Sequence, residues 1–252
     1  MRICEADFRL RNPRELDDAG WHALLQERPA QAIVAGARAG VLQAQALLGQ
    51  LLLDGQGIAQ DAPLAVKWFA IAAHRGHLMA RNMLGRCHEH GWGCVADASA
   101  AAGHYRLAAE AGLDWAMYNY ANLLATGRGV ATDQALALSW YRRAAQLGHA
   151  KSMNLLGRYL EQGLACAADV EQARQWYQRS AEAGDFRGQF SHAAVLAEQG
   201  EVAAALHWLQ LALEGGNLNF LRVSVQVLEQ AAQPQVRAMA VAYRARMLSL
   251  AS

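Results

Sequence analysis

The sequence predicts an all-α fold in which helix-turn-helix units of 36 residues follow one another along the chain. Residues 116–151 match residues 80–115 when moved back by 36 positions, and residues 152–187 when moved forward by the same number. Each copy contains two short apolar segments that end at glycine, with an aspartate before the second segment. Repetition at a fixed period of this length is typical of α/α solenoids.

The composition and charge of the 252 residues agree with one elongated repeat array. The chain is 54% hydrophobic and its formal net charge is +1, which gives no global electrostatic reason to expect nucleic acid or a membrane as a partner. We expect a single solenoid domain over residues 1–252. It would comprise N-terminal capping helices (1–40), four regular repeats (41–187), a degenerate fifth repeat (188–216) and C-terminal capping helices (217–252).

The first residues and the cysteines predict a cytoplasmic protein. The N-terminal stretch has no uninterrupted apolar run of the kind found in secretory signals, and no apolar run of about 18 residues occurs anywhere. The cysteines are too few and too irregularly spaced for a disulfide framework in a chain of this length: Cys4, Cys87, Cys94 and Cys166.

The N-terminal cap is predicted from two helix-start signals. Asn12 and Pro13 have the residue types of a helix cap and a first helical position, and the helix would run to about Arg28. Pro29 then opens a second helix that ends at Gly40. We interpret this pair as an atypical terminal repeat, because one face of a terminal repeat has no neighbour.

Three columns of residues recur through the regular repeats and predict helix ends. One glycine column closes the second helices, at Gly76, Gly112, Gly148 and Gly184. Another closes the first helices, at Gly55, Gly91, Gly127 and Gly163. The third column precedes the second helices and consists of Asp61, Asp97, Asp133 and Asp169. Aspartate at that position accepts hydrogen bonds from the free backbone N–H groups at the start of a helix. The regular spacing of these aspartates therefore favours a capping role over a catalytic one.

Aromatic pairs in the second helices predict the core. They are Trp68-Phe69, His104-Tyr105, Trp140-Tyr141 and Trp176-Tyr177. Small residues follow three and four positions later, and a large ring facing a small side chain allows close helix packing. After the degenerate fifth unit, residues 217–233 and 234–250 predict two more helices. The last is basic, and we favour a capping helix over a membrane-surface helix.

The repeat can be written LG-x5-G-x-G-h-x2-D-x6-WY-x2-AA-x2-G, with h an apolar residue, and residues 84–112 and 121–148 show it best. It resembles the Sel-one-like repeat (SLR), a relative of the tetratricopeptide repeat (TPR-like superfamily). The resemblance covers about residues 40–187 in four copies, with weaker copies on either side. It implies a right-handed superhelical α/α solenoid, often bacterial, that acts as a scaffold or adaptor for protein complexes.

The resemblance also implies that the first helices line the concave groove of the solenoid. Aligning those helices in register gives the positions predicted to face a partner: Gln43, Gln50, Met79, Asn82, Arg86, Glu89, Trp115, Tyr118, Asn122, Lys151, Asn154, Arg158 and Glu161.

One pattern within this set favours an extended peptide or a partner protein as the ligand. An Asn-Arg-Glu face recurs after 72 residues, and Trp115 and Tyr118 lie between the two copies. Asparagine can pair with both polar groups of a peptide backbone, and arginine can bind a carboxylate with two hydrogen bonds. The alternative is that the Arg and Glu residues form solvated pairs within each helix. No cofactor is expected.

Two other classes of function stay open as alternatives. Cys87, His88, His90 and Cys94 fall within eight residues and are all possible metal ligands. Cys87 and His88 occupy packing columns, so we favour core positions over a metal centre or an enzyme active site. No common catalytic or phosphate-binding motif occurs. The second alternative is end-to-end self-association of a chain that we expect to be monomeric.

Overall fold

A computed structural model describes residues 30–251, with the side chain of residue 251 excepted. Over this range the chain forms thirteen helices and no strand, so the all-α prediction is confirmed. The helix predicted from Asn12 to Arg28 lies outside the described residues. The helices are Ala30–Arg38 (α1), Leu42–Asp54 (α2), Ala62–His74 (α3), Leu78–His90 (α4), Ala98–Glu110 (α5), Asp114–Thr126 (α6), Gln134–Gln146 (α7), Ala150–Gln162 (α8), Val170–Glu182 (α9), Phe186–Glu198 (α10), Val202–Gly215 (α11), Leu218–Glu229 (α12) and Pro234–Ala251 (α13).

The chain divides into two compact units, Met1–Thr132 (unit 1) and Asp133–Ser252 (unit 2). In unit 1 each helix from α1 to α6 packs on the next. In unit 2 the helices α7 to α11 do the same, while α13 packs on both α11 and α12. Successive helix pairs of this kind are the α/α repeats that the sequence predicts. The division into caps, regular repeats and one single domain stays a prediction.

Aspartate caps the four second helices α3, α5, α7 and α9, as predicted. In each case a carboxylate oxygen accepts a hydrogen bond from the backbone N–H three residues later, at 2.8–2.9 Å. The first helices α2, α4, α6 and α8 end at glycines whose φ lies between 65° and 72°, a left-handed conformation that glycine adopts without a side-chain clash. These local requirements explain why both columns recur.

The aromatic rings of the second helices form the core with glycines of the first helices. The rings of Phe69, Tyr105 and Tyr177 are at most 3% exposed. A Cβ atom added to Gly85 would lie 2.7 Å from a ring carbon of Tyr105, and one on Gly157 would lie 2.6 Å from Tyr177. The rings therefore pack directly on the backbone of the first helices, as protein interiors at native density require.

The last two helices cover the end of unit 2. Tyr243 of α13 is fully buried, and its hydroxyl donates to the Leu209 carbonyl of α11 at 2.8 Å. Arg244 pairs with Glu229 of α12, and Arg237 donates to the carbonyls of residues 231 and 232. Across residues 30–251, no helix combines the length and apolar character needed to cross a bilayer.

Candidate peptide-binding site

The thirteen residues predicted to face a partner lie on α2, α4, α6 and α8. Asn82 and Asn154 are buried. The remaining eleven are at least partly exposed: Gln43, Gln50, Met79, Arg86, Glu89, Trp115, Tyr118, Asn122, Lys151, Arg158 and Glu161. The first-helix face therefore has a polar surface, but two of its predicted positions belong to the interior.

An open pocket of about 330 Å³ lies in unit 1 between α2 and α4, the first helices of two successive repeats. It is termed the junction pocket, and its lining consists of Gln50, Leu53, Asp54, Gln60, Ala62, Met83, Arg86 and Trp92. Gln50 and Arg86 belong to the predicted set. The structure thus brings two predicted residues from neighbouring repeats to one concave site.

The Trp92 ring is positioned by the loop after α4. Gly91 ends this helix in the left-handed conformation, and the Trp92 N–H donates to the Cys87 carbonyl at 3.0 Å. Gly93 also has a positive φ of 72°, and a Cβ atom there would collide with the backbone of Ala62 and Pro63. The loop therefore lies directly against the start of α3, which fixes Trp92 at the wall of the pocket.

Arg86 provides the positive charge of the junction pocket. Its guanidinium carbon lies 5.0 Å from the centroid of the Trp92 ring, a cation–π contact, and Nη1 lies 3.7 Å from the sulfur of Met83. Among the residues that the structure describes, no carboxylate forms an ion pair with Arg86. The pocket therefore holds a guanidinium that contacts an aromatic ring and forms no ion pair with residues 30–251.

Asn82 and Asn154 do not point freely into a groove, in contrast to the sequence-based expectation. The Asn82 Oδ1 atom accepts a hydrogen bond from Asn119 Nδ2 at 2.9 Å, which joins α4 to α6. In unit 2, Asn154 Oδ1 accepts from Ser191 Oγ at 2.9 Å, which joins α8 to α10. Buried amides require such partners, so both residues act first as links between neighbouring repeats.

Glu89 and Glu161 are also held by the chain. The Tyr105 hydroxyl donates to Glu89 at 2.7 Å, and the Tyr177 hydroxyl donates to Glu161 at 2.9 Å. Arg128, in the loop after α6, forms an ion pair with Glu89. Burial, and secondly the hydrogen bond to Glu161, raise the pKa of Tyr177, so this hydroxyl stays a proton donor.

The sequence contained a signal for these Tyr–Glu pairs that the periodicity argument missed. Glutamate precedes tyrosine by 16 residues in two repeats, at Glu89 and Tyr105 and again 72 residues later. The equivalent residues of the first repeat are Leu53 and Phe69, so the carboxylate and the hydroxyl are absent together. Asn119 had no comparable signal, because its partner Asn82 lies in another repeat.

Trp115, Tyr118 and Asn122 lie on α6 and are all partly buried. The Trp115 backbone N–H donates to the side chain of Asp114 at 2.7 Å, and the carbonyl of Asn122 accepts from the Thr126 hydroxyl at 2.7 Å. These contacts fix the backbone of α6 at both ends. A role of the three side chains as the centre of the binding site stays a prediction.

The cysteine and histidine residues near the end of α4 face different neighbours. Cys87 is fully buried, and burial is the main cause that raises the pKa of its thiol to about 11. The Cys94 sulfur lies 3.8 Å from His88 Nδ1, whereas His90 lies beside the Trp92 ring. Residues 30–251 contain no group of three or more His, Cys, Asp or Glu side chains arranged to hold a metal ion. Nothing favours the metal or enzyme alternative.

The fold and this site define the class of protein: an α-solenoid repeat protein with a polar and aromatic pocket on its first-helix face. The Sel1 repeat family matches the chain at residues 42–77, 78–113, 116–149, 150–185 and 202–217. These matches cover more than half of the sequence, so the chain belongs to the Sel1 repeat family, and the resemblance to the Sel-one-like repeat is confirmed. Proteins with this repeat are generally protein–protein interaction scaffolds.

Solved structures show the same fold. A Sel1 repeat protein from Oxalobacter formigenes is 27% identical with a TM-score of 0.68, over 87% of this chain and 93% of that one. The protective antigen c5321 of uropathogenic Escherichia coli, which displays an SLR fold, is 25% identical with a TM-score of 0.67. That alignment covers 93% of this chain and 54% of the antigen, so this chain spans about half of its length.

A third similar structure, the immunity protein Pa5087 from Pseudomonas aeruginosa, is 17% identical with a TM-score of 0.55. The alignment covers 83% of this chain and 81% of that chain, and at this identity the likeness shows the fold alone. Comparison with curated proteins gave no match.

Proposed function

We propose that this protein is a non-catalytic scaffold that binds a partner protein by holding an extended segment of it along the first helices of the repeats. This role agrees with the general function of Sel1 repeat proteins as interaction scaffolds. The observation that carries the proposal is the junction pocket, where Arg86 and Trp92 are both partly exposed. Arginine and tryptophan are the side chains most enriched at energetically dominant contacts of protein interfaces.

The proposed contact surface extends along α4 and α6 of unit 1. Met79 on α4 and Trp115, Tyr118 and Asn122 on α6 are partly exposed, and they combine apolar area with polar groups. Peptide recognition uses this combination, since apolar area gives affinity and polar groups fix the register. In unit 2 we propose three further contacts on α8: Lys151, Arg158 and Glu161.

The test is enrichment of a displayed random-peptide library on the immobilised protein. The variant Gln50→Ala/Arg86→Ala/Tyr118→Ala removes three proposed contacts. A matched control, Lys67→Ala/Arg142→Ala/Gln175→Ala, changes three exposed residues of the second helices. We expect the first variant to retain the enriched peptides at least about tenfold less well than the wild type, since interface contacts of this kind are worth about 1–2 kcal/mol or more.

The control variant should retain the peptides as the wild type does, and all three proteins should give the same melting curve by circular dichroism. Equal retention by both triple variants would contradict binding along the first helices. A loss of helical signal in the first variant alone would require single substitutions before the comparison is made.

We further propose that the whole chain acts as one monomeric domain in the cytoplasm. The cysteines support a reducing compartment, since Cys87, Cys94 and Cys166 are all free thiols. Light scattering over a concentration series tests the monomer, because end-to-end self-association would increase the mean mass as the protein concentration rises.

A further inference from the structure

We infer that the junction pocket binds the free C-terminal residue of a protein or peptide whose last side chain is apolar. This inference rests on the proposed function, because it names the part of the partner that the first-helix face recognises. Three chemical features of the pocket lining support it: a guanidinium that forms no ion pair with the described residues, hydrogen-bond acceptors on the neighbouring helix and an apolar surface between the repeats.

The guanidinium of Arg86 can accommodate an anion. Its carbon lies 5.0 Å from the centroid of the Trp92 ring, and its N–H groups make no ion pair within the described residues. Its hydrogen-bond partner within residues 30–251 is the sulfur of Met83, which is a weak acceptor. A carboxylate fits the fork of N–H donors with two parallel hydrogen bonds, which makes it the best-matched ligand group.

The neighbouring helix α2 offers acceptors instead of a second cation. Gln50 Nε2 donates to Asp54 Oδ2 at 2.6 Å, so one carboxylate oxygen is satisfied and the other oxygen is left to accept. Asp54 makes no ion pair with Arg86 in the part of the chain that is described. The pocket can therefore pair an anion and an N–H donor of the same ligand at once.

The remaining lining is apolar apart from Gln60, whose side-chain amide donates to the Leu53 carbonyl at 2.7 Å. Leu53, Ala62 and Met83 contribute the apolar surface, and Met83 is itself buried. The pocket volume of about 330 Å³ lies at the small end of the range for ligand sites, which begins near roughly 300 Å³. A pocket of this size suits a terminal residue with its last peptide group better than a folded surface or a long segment.

A C-terminal residue carries the three required groups on one Cα atom. Its carboxylate would bind Arg86, its N–H would donate to Asp54 or Gln50, and its side chain would contact Leu53 and Met83. In an internal acidic residue the carboxylate lies at the end of the side chain, so the same residue cannot also place an apolar side chain in the pocket. The combination of groups on one residue therefore favours the chain terminus.

The next pair of repeats shows that this position of the repeat accommodates a carboxylate beside a cation. Leu53 and Trp92 correspond to Glu89 and Arg128 after a shift of 36 residues. There the chain's own Glu89 carboxylate pairs with Arg128 and accepts from Tyr105. At the junction pocket the Asp54 carboxylate accepts from Gln50, and no carboxylate of residues 30–251 forms an ion pair with Arg86. We assign the place beside Arg86 to the carboxylate of the partner's terminus.

The test uses three pools of random octapeptides on the immobilised full chain, with retention measured by mass spectrometry. The first pool ends in leucine with a free carboxylate, the second ends in leucinamide, and the third ends in lysine with a free carboxylate. We expect the first pool to be retained at least about tenfold better than the other two, because charge-assisted hydrogen bonds to a carboxylate are about twice as strong as neutral ones. Arg86→Gln should abolish the difference in retention between the first and second pools. Lys67→Gln, at an exposed position of α3, should leave that difference unchanged.

Three other outcomes would overturn the inference that the pocket binds a C-terminal residue. Equal retention of the free and amidated pools, with both lost in the triple variant described above, would overturn recognition of a terminus and leave peptide binding intact. Enrichment of internal acidic residues in the amidated pool would assign the anion to a side chain and would also overturn it. Retention of no pool above the empty resin would overturn both this inference and the proposed function.

Discussion

The two junctions between first helices in unit 1 are built from equivalent positions of the repeat, yet they differ in chemistry. The first junction joins α2 to α4, and there Leu53 and Trp92 line an open pocket. The second joins α4 to α6, and there the equivalent residues Glu89 and Arg128 form an ion pair. Seven of the eight positions that line the junction pocket carry a different residue at the second junction, and at two of them an ion pair replaces Leu53 and Trp92. Recognition in such a protein depends on these side chains, since the fold itself does not specify a partner.

The largest expected effect comes from the glycines that place Trp92 and Arg128. Gly93 and Gly129 have φ near 70°, and a Cβ atom on either would collide with the backbone at the start of the adjacent second helix. Gly93→Ala and Gly129→Ala should each lower the free energy of unfolding by about 2–3 kcal/mol, from strain and overpacking together. Urea unfolding followed by circular dichroism measures both changes.

The two glycine variants should differ in their peptide retention. Gly93→Ala displaces Trp92 and should weaken peptide retention, whereas Gly129→Ala displaces Arg128 and should leave retention by the first junction unchanged. Gly103→Ala is the matched control, because a Cβ atom there meets nothing within 4 Å. Equal loss of peptide retention in both variants would show that the junctions do not act separately.

The next prediction converts the first junction into the second. Leu53→Glu/Trp92→Arg introduces the ion pair of Glu89 and Arg128 at the equivalent positions. We expect peptide retention to fall by about tenfold, because the new carboxylate competes for Arg86 and the new pair occupies the pocket. The free energy of unfolding of the double variant should exceed the additive expectation from the two single variants by about 0.5–1 kcal/mol.

A double-mutant cycle in urea measures that coupling. If the pair contributes no coupling and peptides are retained as before, then the side chains at these two positions do not decide whether a junction is open. In that case the difference between the junctions would have to come from the other lining positions, such as Arg86, which corresponds to Asn122, and Asp54, which corresponds to His90.

The third prediction concerns the support of the second junction. Tyr105→Phe removes the hydroxyl that donates to Glu89 at 2.7 Å and makes this repeat resemble the first, which has Phe69. It should lower the free energy of unfolding by about 1 kcal/mol at neutral pH. Tyr177→Phe should cost less, because its acceptor Glu161 is exposed to solvent.

The contribution of Tyr105 to the free energy of unfolding should decrease at high pH. Burial raises the pKa of Tyr105 above the usual tyrosine value of about 10. Its stabilising contribution is therefore complete below pH 10 and decreases as the pH rises above that value, because the unfolded chain ionises first. The urea midpoint of Tyr105→Phe should consequently fall less steeply above pH 10 than that of the wild type; parallel decreases would contradict a buried neutral tyrosine.

Sequence alone predicted the scaffold of both junctions but not their difference. The capping aspartates and left-handed glycines are local requirements that recur at fixed spacing, so they were visible without a structure. Whether a first-helix side chain is available to a partner depends on the next repeat, as Asn82 demonstrates through its bond to Asn119. Gln50 and Arg86 were found because they lie on the predicted face. Trp92 was missed, since it lies in the loop after α4 and not on the predicted first-helix face.

The smallest expected effect separates the two junctions by their response to salt. Arg128→Gln removes a partly exposed ion pair and should cost about 0.5 kcal/mol at low ionic strength, with most of that cost absent in about 1 M NaCl, where the screening length is near 3 Å. Arg86→Gln removes no ion pair, so any cost should come from its contact with Trp92 and should be nearly independent of salt. Urea unfolding at the two salt concentrations measures both variants. An equal salt response would mean that Arg86 is already neutralised by a carboxylate of the chain in solution. Both junctions would then be closed by ion pairs, and the positive charge assigned to the terminus of a partner would not be available.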